Sequence, residues 1–187
     1  QYLIKELGDY AFGCLWSLEK VRLPNSITKI GTGAFIECKL LKKIELPDTI
    51  TNISGSAFRS CPSLEEFTIP PLVKTLESYT FSGCNTLKKV NGIERLESIG
   101  DNCFYNACCL TGTITINEKM QSLGANAFFA CVSLENIIFK GTPNSVSSNC
   151  FSKCLNITDI YCPWAEGEVA NAPWGATNAT IHYNSEV

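Results

Sequence analysis

A period of 23 residues dominates the sequence and restricts the fold more than any other feature. Residues 30–52, IGTGAFIECKLLKKIELPDTITN, are followed directly by ISGSAFRSCPSLEEFTIPPLVKT and then by LESYTFSGCNTLKKVNGIERLES. Apolar columns at a fixed period of this length indicate a solenoid, in which each unit buries its apolar side against its neighbours. One extra residue in the fifth copy shifts the last two members of a phenylalanine column. This column comprises Phe12, Phe35, Phe58, Phe81, Phe104, Phe128 and Phe151.

The spacing of apolar residues divides each repeat into parts. In the second copy, Leu41, Ile44 and Leu46 give L-x-x-I-x-L, whose last three positions alternate as in a short half-buried strand. The segment AFIECKLL, with apolar residues at offsets of three, predicts one helical or 3₁₀ turn. The strand of the L-x-x-I-x-L pattern ends at the proline that follows it, because proline has no N–H to donate to a ladder. The proline column comprises Pro24, Pro47, Pro70 and Pro163.

The pattern C-x-x-L-x-x-I-x-L-P-x-x-I-x-x-I-G-x-x-A-F, present here as CKLLKKIELPDTITNISGSAF, resembles the BspA-like class of leucine-rich repeats. The sequence departs from that pattern by one residue at Leu40 and Leu41, where Leu41 holds the column. The resemblance covers residues 4–163 and implies a leucine-rich-repeat solenoid with seven repeats and a C-terminal cap. Its elements would be stacked short parallel β-strands, 3₁₀ or short helical turns, and loops. The class consists of surface proteins of bacteria and some protists, which implies adhesion or protein binding rather than catalysis.

The repeat register predicts how the chain is organised. We expect a single solenoid domain over residues 1–187, with repeats in 1–163 and a C-terminal cap in 164–187. Gln1 falls in the column of Pro24, so the chain is expected to begin in mid-repeat, as a fragment of a larger surface protein. In the cap we expect a short helix over residues 166–172, ended by Pro173, and a last strand over residues 180–183. Trp164 and Trp174 are large enough to cover the open end of the core.

Two copies in the middle of the chain depart from the pattern. In the fourth copy Gly92 and Ile93 replace the Leu-Pro pair, and Asn91 with Gly92 forms a turn signal. The fifth copy carries its extra residue near Thr111 and Gly112, which predicts a bulge or a longer loop. We therefore expect the middle of the solenoid to be its most irregular part.

The composition is that of an ordinary soluble domain. With 45% hydrophobic residues, 18% charged residues and a net charge of -3, it provides no attraction to nucleic acid or to an acidic membrane. No apolar run approaches the roughly 20 residues of a membrane helix, and no targeting signal is evident. We expect a monomer without membrane insertion. The family resemblance implies that the protein is secreted or displayed at the cell surface.

Eleven cysteines suggest a disulfide scaffold at first, but six of them occupy core columns. Cys162 shares a column with Leu23 and Leu46, and the other five follow their phenylalanine by three residues. Buried free thiols are therefore favoured over disulfides or zinc ligands, and the absence of any C-x-x-C pair agrees. The five column members are Cys38, Cys61, Cys84, Cys131 and Cys154. Those outside the columns, whose state stays open, are Cys14, Cys103, Cys108, Cys109 and Cys150.

No catalytic motif surrounds the single histidine, His182. We interpret it as a strand residue on a surface, far from the variable face of the repeats. The carboxylate pairs Glu65 with Glu66 and Glu94 with Glu97 have no predicted pocket and are interpreted as a solvated face. We expect no enzymatic activity, no catalytic or metal-binding residues and no cofactor.

The residues that flank each inward strand position point away from the core, because successive side chains alternate between faces. They predict a surface strip that is basic near the N-terminus and neutral to apolar near the C-terminus, where Ile138 lies beside Tyr161. We expect a host or cell-surface protein to bind this sheet face, anchored at that pair and steered by the basic end. The predicted partner-binding residues are Lys20, Arg22, Lys43, Glu45, Glu66, Lys89, Asn136, Ile138 and Tyr161.

Two alternatives stay open from the sequence alone. The cap could fold over Ile138 and Tyr161 and bury them, in which case they would belong to the core. The whole chain could also be a structural spacer or stalk that holds another domain away from a surface and binds nothing itself.

Overall fold

The computed structural model describes residues 3–186 and shows a solenoid of stacked parallel strands with almost no helix. This confirms the predicted fold class. The expectation that Gln1 begins the chain in mid-repeat lies outside the described residues, as does Val187. The strands are β1 (Glu6–Leu7), β2 (Lys29–Ile30), β3 (Asn52–Ile53), β4 (Glu66–Thr68), β5 (Thr75–Leu76), β6 (Lys89–Asn91), β7 (Ser98–Ile99), β8 (Gly112–Ile116), β9 (Ser122–Leu123), β10 (Leu134–Phe139), β11 (Ser145–Val146), β12 (Asp159–Tyr161) and β13 (Thr180–His182).

The sheet face is built by the strands that the L-x-x-I-x-L pattern predicts. β4 pairs with β6, and β8, β10, β12 and β13 form a separate four-stranded sheet, all in parallel. In the first two repeats the ladder is reduced to a single bridge between Arg22 and Glu45. Every strand of this face packs at least one apolar residue against the core, such as Phe67 in β4 or Ile137 in β10, and the burial of these residues selects the register.

A second series of strands runs along the solenoid, and the sequence pattern did not predict it. β1, β2 and β3 form one sheet, and β5, β7, β9 and β11 form another. Each strand is only two residues long, and from the second copy onward its second residue, such as Ile53 or Leu76, is buried. Two residues are too few to show alternation, so the sequence shows only the buried column.

A third set of backbone hydrogen bonds links the turns around the phenylalanine column. The residues two before and two after the phenylalanine repeatedly take positive φ, as Ser56 (58°) and Ser60 (57°) do on either side of Phe58. The N–H of Phe58 donates to the carbonyl of Thr80 in the next coil at 2.9 Å. This left-handed backbone interrupts helical geometry, so the segment predicted as one helical or 3₁₀ turn forms isolated i to i+3 bonds of the 3₁₀ type and no continuous helix.

The phenylalanine column is a stacked ladder at the centre of the core. Phe81 lies 5.6 Å from Phe58 and 5.4 Å from Phe104 between ring centroids, with ring planes within 7° of parallel. All three side chains are fully buried. Phe67 packs its ring against Phe58 and Phe81 at 61° and 66°, an edge-to-face arrangement. The predicted inward column is confirmed.

The cysteine column is buried, as predicted, and it also bonds to the backbone. The thiol of Cys61 donates to the carbonyl of Phe35 at 3.1 Å, and that of Cys84 donates to the carbonyl of Phe58 at the same distance. Each thiol thus satisfies a phenylalanine carbonyl of the preceding coil, which an alanine could not do. Burial raises the pKa of Cys84 to about 12, so the thiol stays protonated and unreactive at neutral pH.

All eleven cysteines lie within the described residues and none is paired. Cys14 is exposed, and Cys108 and Cys109 are partly exposed. Cys103 and Cys150 are buried, because each directly precedes a ladder phenylalanine in a column of small residues. Two of the five cysteines whose state the sequence left open therefore belong to the core.

We predict that Cys84 and Cys131 react with a thiol reagent only after denaturation, whereas exposed Cys14 reacts in the folded protein. Cys108 and Cys109 should react at intermediate rates. The measurement is a labelling time course with the sites mapped by mass spectrometry, with and without denaturant. Equal native rates for Cys14 and Cys84, or a disulfide within the column, would contradict the assignment.

The C-terminal cap closes the core with two tryptophans and a last strand, as predicted. Trp164 and Trp174 are buried and lie 5.0 Å and 5.6 Å from the ring of Phe139. The predicted helix over residues 166–172 is wrong, because the segment consists of bends and turns. Gly167 takes a φ of 89° and Asn171 a φ of 71°, and both lie outside the right-handed helical region.

The irregular middle is also as predicted. A 3₁₀ helix, Ile93–Arg95, follows Gly92, whose φ of 97° makes the expected turn. The register between β8 and β10 shifts opposite Gly112, where an irregularity was expected, but the residue left without a partner is Glu135 of β10, in the sixth copy. Across residues 3–186, no helix is both long enough and apolar enough to cross a lipid bilayer.

Candidate functional site

The two outward columns predicted from the sequence form a strip along the sheet face, where strand pairing is interrupted between β6 and β8. Ile138 pairs with Tyr161 across β10 and β12, and Glu66 pairs with Lys89 across β4 and β6. The intervening side chain, such as Ile137, points into the core and is fully buried. Within each sheet, the paired strands therefore hold the outward side chains in rows, about 4.8 Å apart along the solenoid axis.

The nine predicted partner-binding residues all lie on this strip, but they divide into three groups. Four of them, Lys20, Arg22, Lys43 and Glu45, surround a groove at the N-terminal end. Glu66 and Lys89 lie opposite each other in the middle. Asn136, Ile138 and Tyr161 lie together at the C-terminal end.

The N-terminal groove has a volume of about 580 Å³ and runs between the first two coils. Val21, Leu23 and Leu46 line it with half-buried apolar surface. The side chains of Lys43 and Glu45 are 67% and 84% exposed, and they form an ion pair at 3.1 Å. The groove therefore combines an apolar lining with a charged rim.

Polar side chains in the middle of the strip bond to one another from coil to coil. Asn91 Nδ2 donates to Thr68 Oγ1 at 3.2 Å. Lys88, one position beside the strip, pairs with Glu65 at 3.2 Å. These contacts explain Glu65 as part of a solvated ion pair and leave the middle of the strip nearly neutral.

The C-terminal end of the strip is aromatic and half-exposed. Tyr161 is paired with Ile138 on one side and with His182 on the other, because β13 adds one further strand in register. The rings of Tyr161 and His182 stack with centroids 4.6 Å apart and planes 13° from parallel. All three side chains are partly exposed. We call this row of Ile138, Tyr161 and His182 the aromatic row.

A short hydrogen-bond chain fixes the edge of the aromatic row. His182 Nε2 lies 2.7 Å from Asp159 Oδ1, and Thr158 Oγ1 donates to Asp159 Oδ2 at 2.7 Å. These hydrogen bonds, first that with His182, hold the pKa of Asp159 below its ordinary value. The imidazole is thereby oriented by both the carboxylate and the stacked Tyr161 ring.

The interpretation of His182 as remote from the variable face is wrong. It occupies the next position of the same outward column as Tyr161, because the cap strand continues the ladder. The 23-residue period stops after Pro163, so the column could not be extrapolated to residue 182. The cap lies beside β12 and over the end of the core, so it does not cover Ile138 and Tyr161.

One of the remaining carboxylate candidates forms a surface ion pair. Glu94 pairs with the adjacent Arg95 at 3.1 Å on the surface. Among residues 3–186, no group of three His, Cys, Asp or Glu side chains is arranged to hold a metal ion.

Known proteins share this architecture. The fold is similar to that of a leucine-rich repeat protein from T. pallidum, with 27% identity and a TM-score of 0.73 over 82% of this chain and 72% of that one. A leucine-rich repeat protein from Bacteroides ovatus is 21% identical, with a TM-score of 0.63, and the match covers 96% of this chain and 52% of that one. The pneumococcal vaccine antigen PcpA is 22% identical, with a TM-score of 0.52, and the match covers 98% of this chain and 40% of that one. The chain thus spans about half or less of the length of the last two.

The repeats themselves match a family model. The model, described as a BspA type Leucine rich repeat region, matches residues 5–113 and 97–169, with six copies. A sequence comparison with curated proteins gives no match. The family match covers most of the chain and the same apolar columns that build the solenoid core. The chain belongs to the BspA-type leucine-rich repeat family.

Proposed function

We propose that this chain is a non-catalytic protein-recognition or adhesion module that binds a protein partner through its sheet face. The observation that supports this most is the aromatic row of Ile138, Tyr161 and His182. Outward positions on a solenoid are under no packing constraint, and elsewhere on this strip most of them are polar. Three apolar or aromatic side chains side by side on adjacent strands, all partly exposed, are therefore unusual.

The physical character of the row suits an interface anchor. Tyrosine provides a large amphipathic contact area with few rotatable bonds, and such residues are enriched among those that dominate binding energy. Stacking on His182 and pairing with Ile138 hold the Tyr161 ring in place before a partner arrives. Binding through a pre-ordered side chain costs less conformational entropy. The basic N-terminal end of the strip would steer an acidic partner towards the face.

The placement of His182 favours binding over catalysis. The imidazole lies on the open sheet face between a carboxylate and a tyrosine ring, not in a closed cleft. General acid–base catalysis requires a substrate held within hydrogen-bond reach and shielded from bulk water. We therefore propose that His182 orients Tyr161.

We also propose that the protein is secreted or displayed on a cell surface, as the family resemblance implies. Its eight buried cysteines are compatible with such an oxidising environment. Thiol oxidation proceeds through an accessible thiolate. Burial keeps these thiols out of contact with oxidants, so they stay unpaired without a reducing compartment.

A partner-binding experiment tests the aromatic row. The substitutions Ile138→Thr and Tyr161→Thr keep the strand, because Thr68 and Thr115 hold the same outward column. Purified secreted and cell-surface proteins are screened against the wild-type chain, and the dissociation constant of each binder is then measured for the double variant. We expect binding to weaken roughly 30-fold or more, as for other anchor residues, with an unchanged melting temperature.

The same two repeats supply a matched control. Val132 and Leu155 are exposed apolar residues at one equivalent position, away from the sheet face, and the pair Val132→Thr and Leu155→Thr should leave binding unchanged. A lowered melting temperature of the site variant would assign Ile138 and Tyr161 to the cap. Equal binding by both variants would place the interface elsewhere. A wild-type chain that binds none of the proteins would support the spacer alternative.

A further inference from the structure

The N-terminal groove differs from the rest of the sheet face in its backbone. Regular strands pair on the face from β4 onward, but the first two coils share only the bridge between Arg22 and Glu45. The apolar side chains of Val21, Leu23 and Leu46 are correspondingly less covered than their counterparts in later coils, such as Ile69, which is 1% exposed. The result is a recess lined with apolar atoms, not a flat sheet.

The rim of this groove has the opposite charge to the molecule as a whole. Lys20, Arg22 and Lys43 contribute three positive charges against the single carboxylate of Glu45, on a chain whose net charge is -3. Glu45 is already paired with Lys43 at 3.1 Å. Among residues 3–186, neither Lys20 nor Arg22 has an ion-pair partner. Two cations at the groove are therefore available to an external anion.

The surroundings limit what kind of anion fits. Asp48 and Glu66 line the neighbouring recess on the C-terminal side, so the positive patch ends after two coils. A long polyanion such as nucleic acid, running on along the strip, would meet these carboxylates. A small inorganic anion would leave the apolar lining exposed. The ligand must carry negative charge and apolar surface together over a short length.

We propose that the N-terminal groove binds an extended acidic peptide segment of a protein partner, with one apolar side chain inserted against Val21, Leu23 and Leu46. Alternate carboxylates of an extended peptide are about 6.6 Å apart and can reach Lys20 and Arg22, which lie two residues apart along the groove. This inference rests on the proposed function, because it identifies the chemistry of the partner at the basic end of the same face.

Fluorescence anisotropy with defined peptides tests the proposal. The probe is a labelled nonapeptide of glutamates with a leucine and a phenylalanine at its centre. Its two relatives carry glutamine for glutamate, or serine for the two apolar residues. We expect the first peptide to bind measurably below about 1 mM and both relatives to bind roughly tenfold more weakly. Its affinity should also fall with salt, because the cations are exposed.

Charge-reversed variants locate the site. Lys20→Glu with Arg22→Glu should weaken binding of the acidic peptide about tenfold or more. Lys74→Glu with Lys119→Glu makes the same change in net charge at exposed positions outside the groove, and it should leave binding nearly unchanged. Equal losses in the two variants, equal binding of the glutamine peptide, or no binding at all would each overturn the proposal.

Two further arms separate this proposal from others. A single-stranded oligonucleotide that bound as tightly as the peptide would assign the groove to nucleic acid and overturn the peptide assignment. The variant Ile138→Thr with Tyr161→Thr should bind the peptide like wild type, since the aromatic row lies at the other end of the strip. If that variant lost partner binding while even the wild-type chain bound no peptide, the proposed function would stand and the groove would be rejected as a peptide site.

Discussion

Replacing Phe81 with alanine should lower the free energy of unfolding by about 3–5 kcal/mol, one of the largest effects available from a single side chain. Its ring is fully buried and contacts three other phenylalanines: Phe58, Phe67 and Phe104. The neighbouring coils are held by three sets of backbone hydrogen bonds and cannot collapse fully into the vacated space. Truncation therefore loses both the transfer free energy of the ring and the packing around the cavity.

The chain provides a matched control for this prediction. Phe12 belongs to the same column but is only partly buried, and it stacks on Phe35 alone, at 5.3 Å. Phe12→Ala should therefore cost clearly less than Phe81→Ala. Urea unfolding followed by circular dichroism measures both. Equal losses would mean that neither the fuller burial of Phe81 nor its second stacking partner adds to the stability, and a wild-type stability for Phe81→Ala would refute the ladder.

The repeat made the core and the outward strip predictable, because a fixed period assigns each position to a column. One strand then determines the facing of all others: if Phe67 points inward, Glu66 and Thr68 must point outward, as they do. The same logic predicts from the columns alone that Tyr161 lies beside Ile138, and the pairing of β10 with β12 confirms it. Column arguments are strong because the pleat of every coil is held in register by its neighbours.

Features without a repeat signal escaped prediction. The backbone hydrogen bonds that link the turns around the phenylalanine column depend on positive φ. The residues that take positive φ there are as different as Ser56, Tyr79 and Ala130, so no residue type predicts these bonds. The stacked coils impose that conformation through their hydrogen bonds, against the local preference of these residues. The predicted cap helix failed for the reverse reason, since Gly167 readily takes the positive φ that interrupts a helix and no neighbouring coil opposes it.

The location of His182 follows from the pairing of strands between coils and not from any local sequence motif. Its sequence neighbours indicate a strand, but only the pairing of β13 with β12 shows which column it enters. Sequence signals within one cap could not give that register, because no second copy of the cap exists in the chain. The aromatic row, and with it the strongest part of the candidate site, therefore depends on the three-dimensional pairing of strands.

The cysteine columns lead to a prediction with a still larger effect. Seven fully or almost fully buried thiols have a raised pKa in the folded protein, in each case chiefly because burial disfavours the thiolate. From an ordinary value of 9.0, the pKa rises to about 11 for Cys38 and to about 12 for Cys84 and Cys162. The other four are Cys61, Cys103, Cys131 and Cys150.

These shifts make the fold sensitive to alkali. Below pH 9 the thiols are protonated in both states, so the stability is fully present. Above pH 9 the unfolded chain releases protons that the folded chain retains, and stability falls until the pH passes the raised pKa values. In this window each thiol lowers the free energy of unfolding by about 1.4 kcal/mol per pH unit. At pH 10 the seven thiols together lower it by on the order of 10 kcal/mol, which is comparable to the whole stability of a typical domain.

We therefore expect the solenoid to unfold between about pH 9 and pH 11 under reducing conditions, with the steepest loss due to the buried thiols. Urea unfolding at a series of pH values measures the slope. The variant Cys84→Ala with Cys131→Ala, which copies Ala107 of the same column, should be less stable at neutral pH but lose stability with a slope smaller by about 2.8 kcal/mol per pH unit. Ile53→Val, a buried substitution without a titrating group, should lower stability at every pH and leave the slope unchanged. Identical slopes for wild type and the double cysteine variant would show that the buried thiols ionise as readily in the folded chain as in the unfolded one, which contradicts their burial in the core.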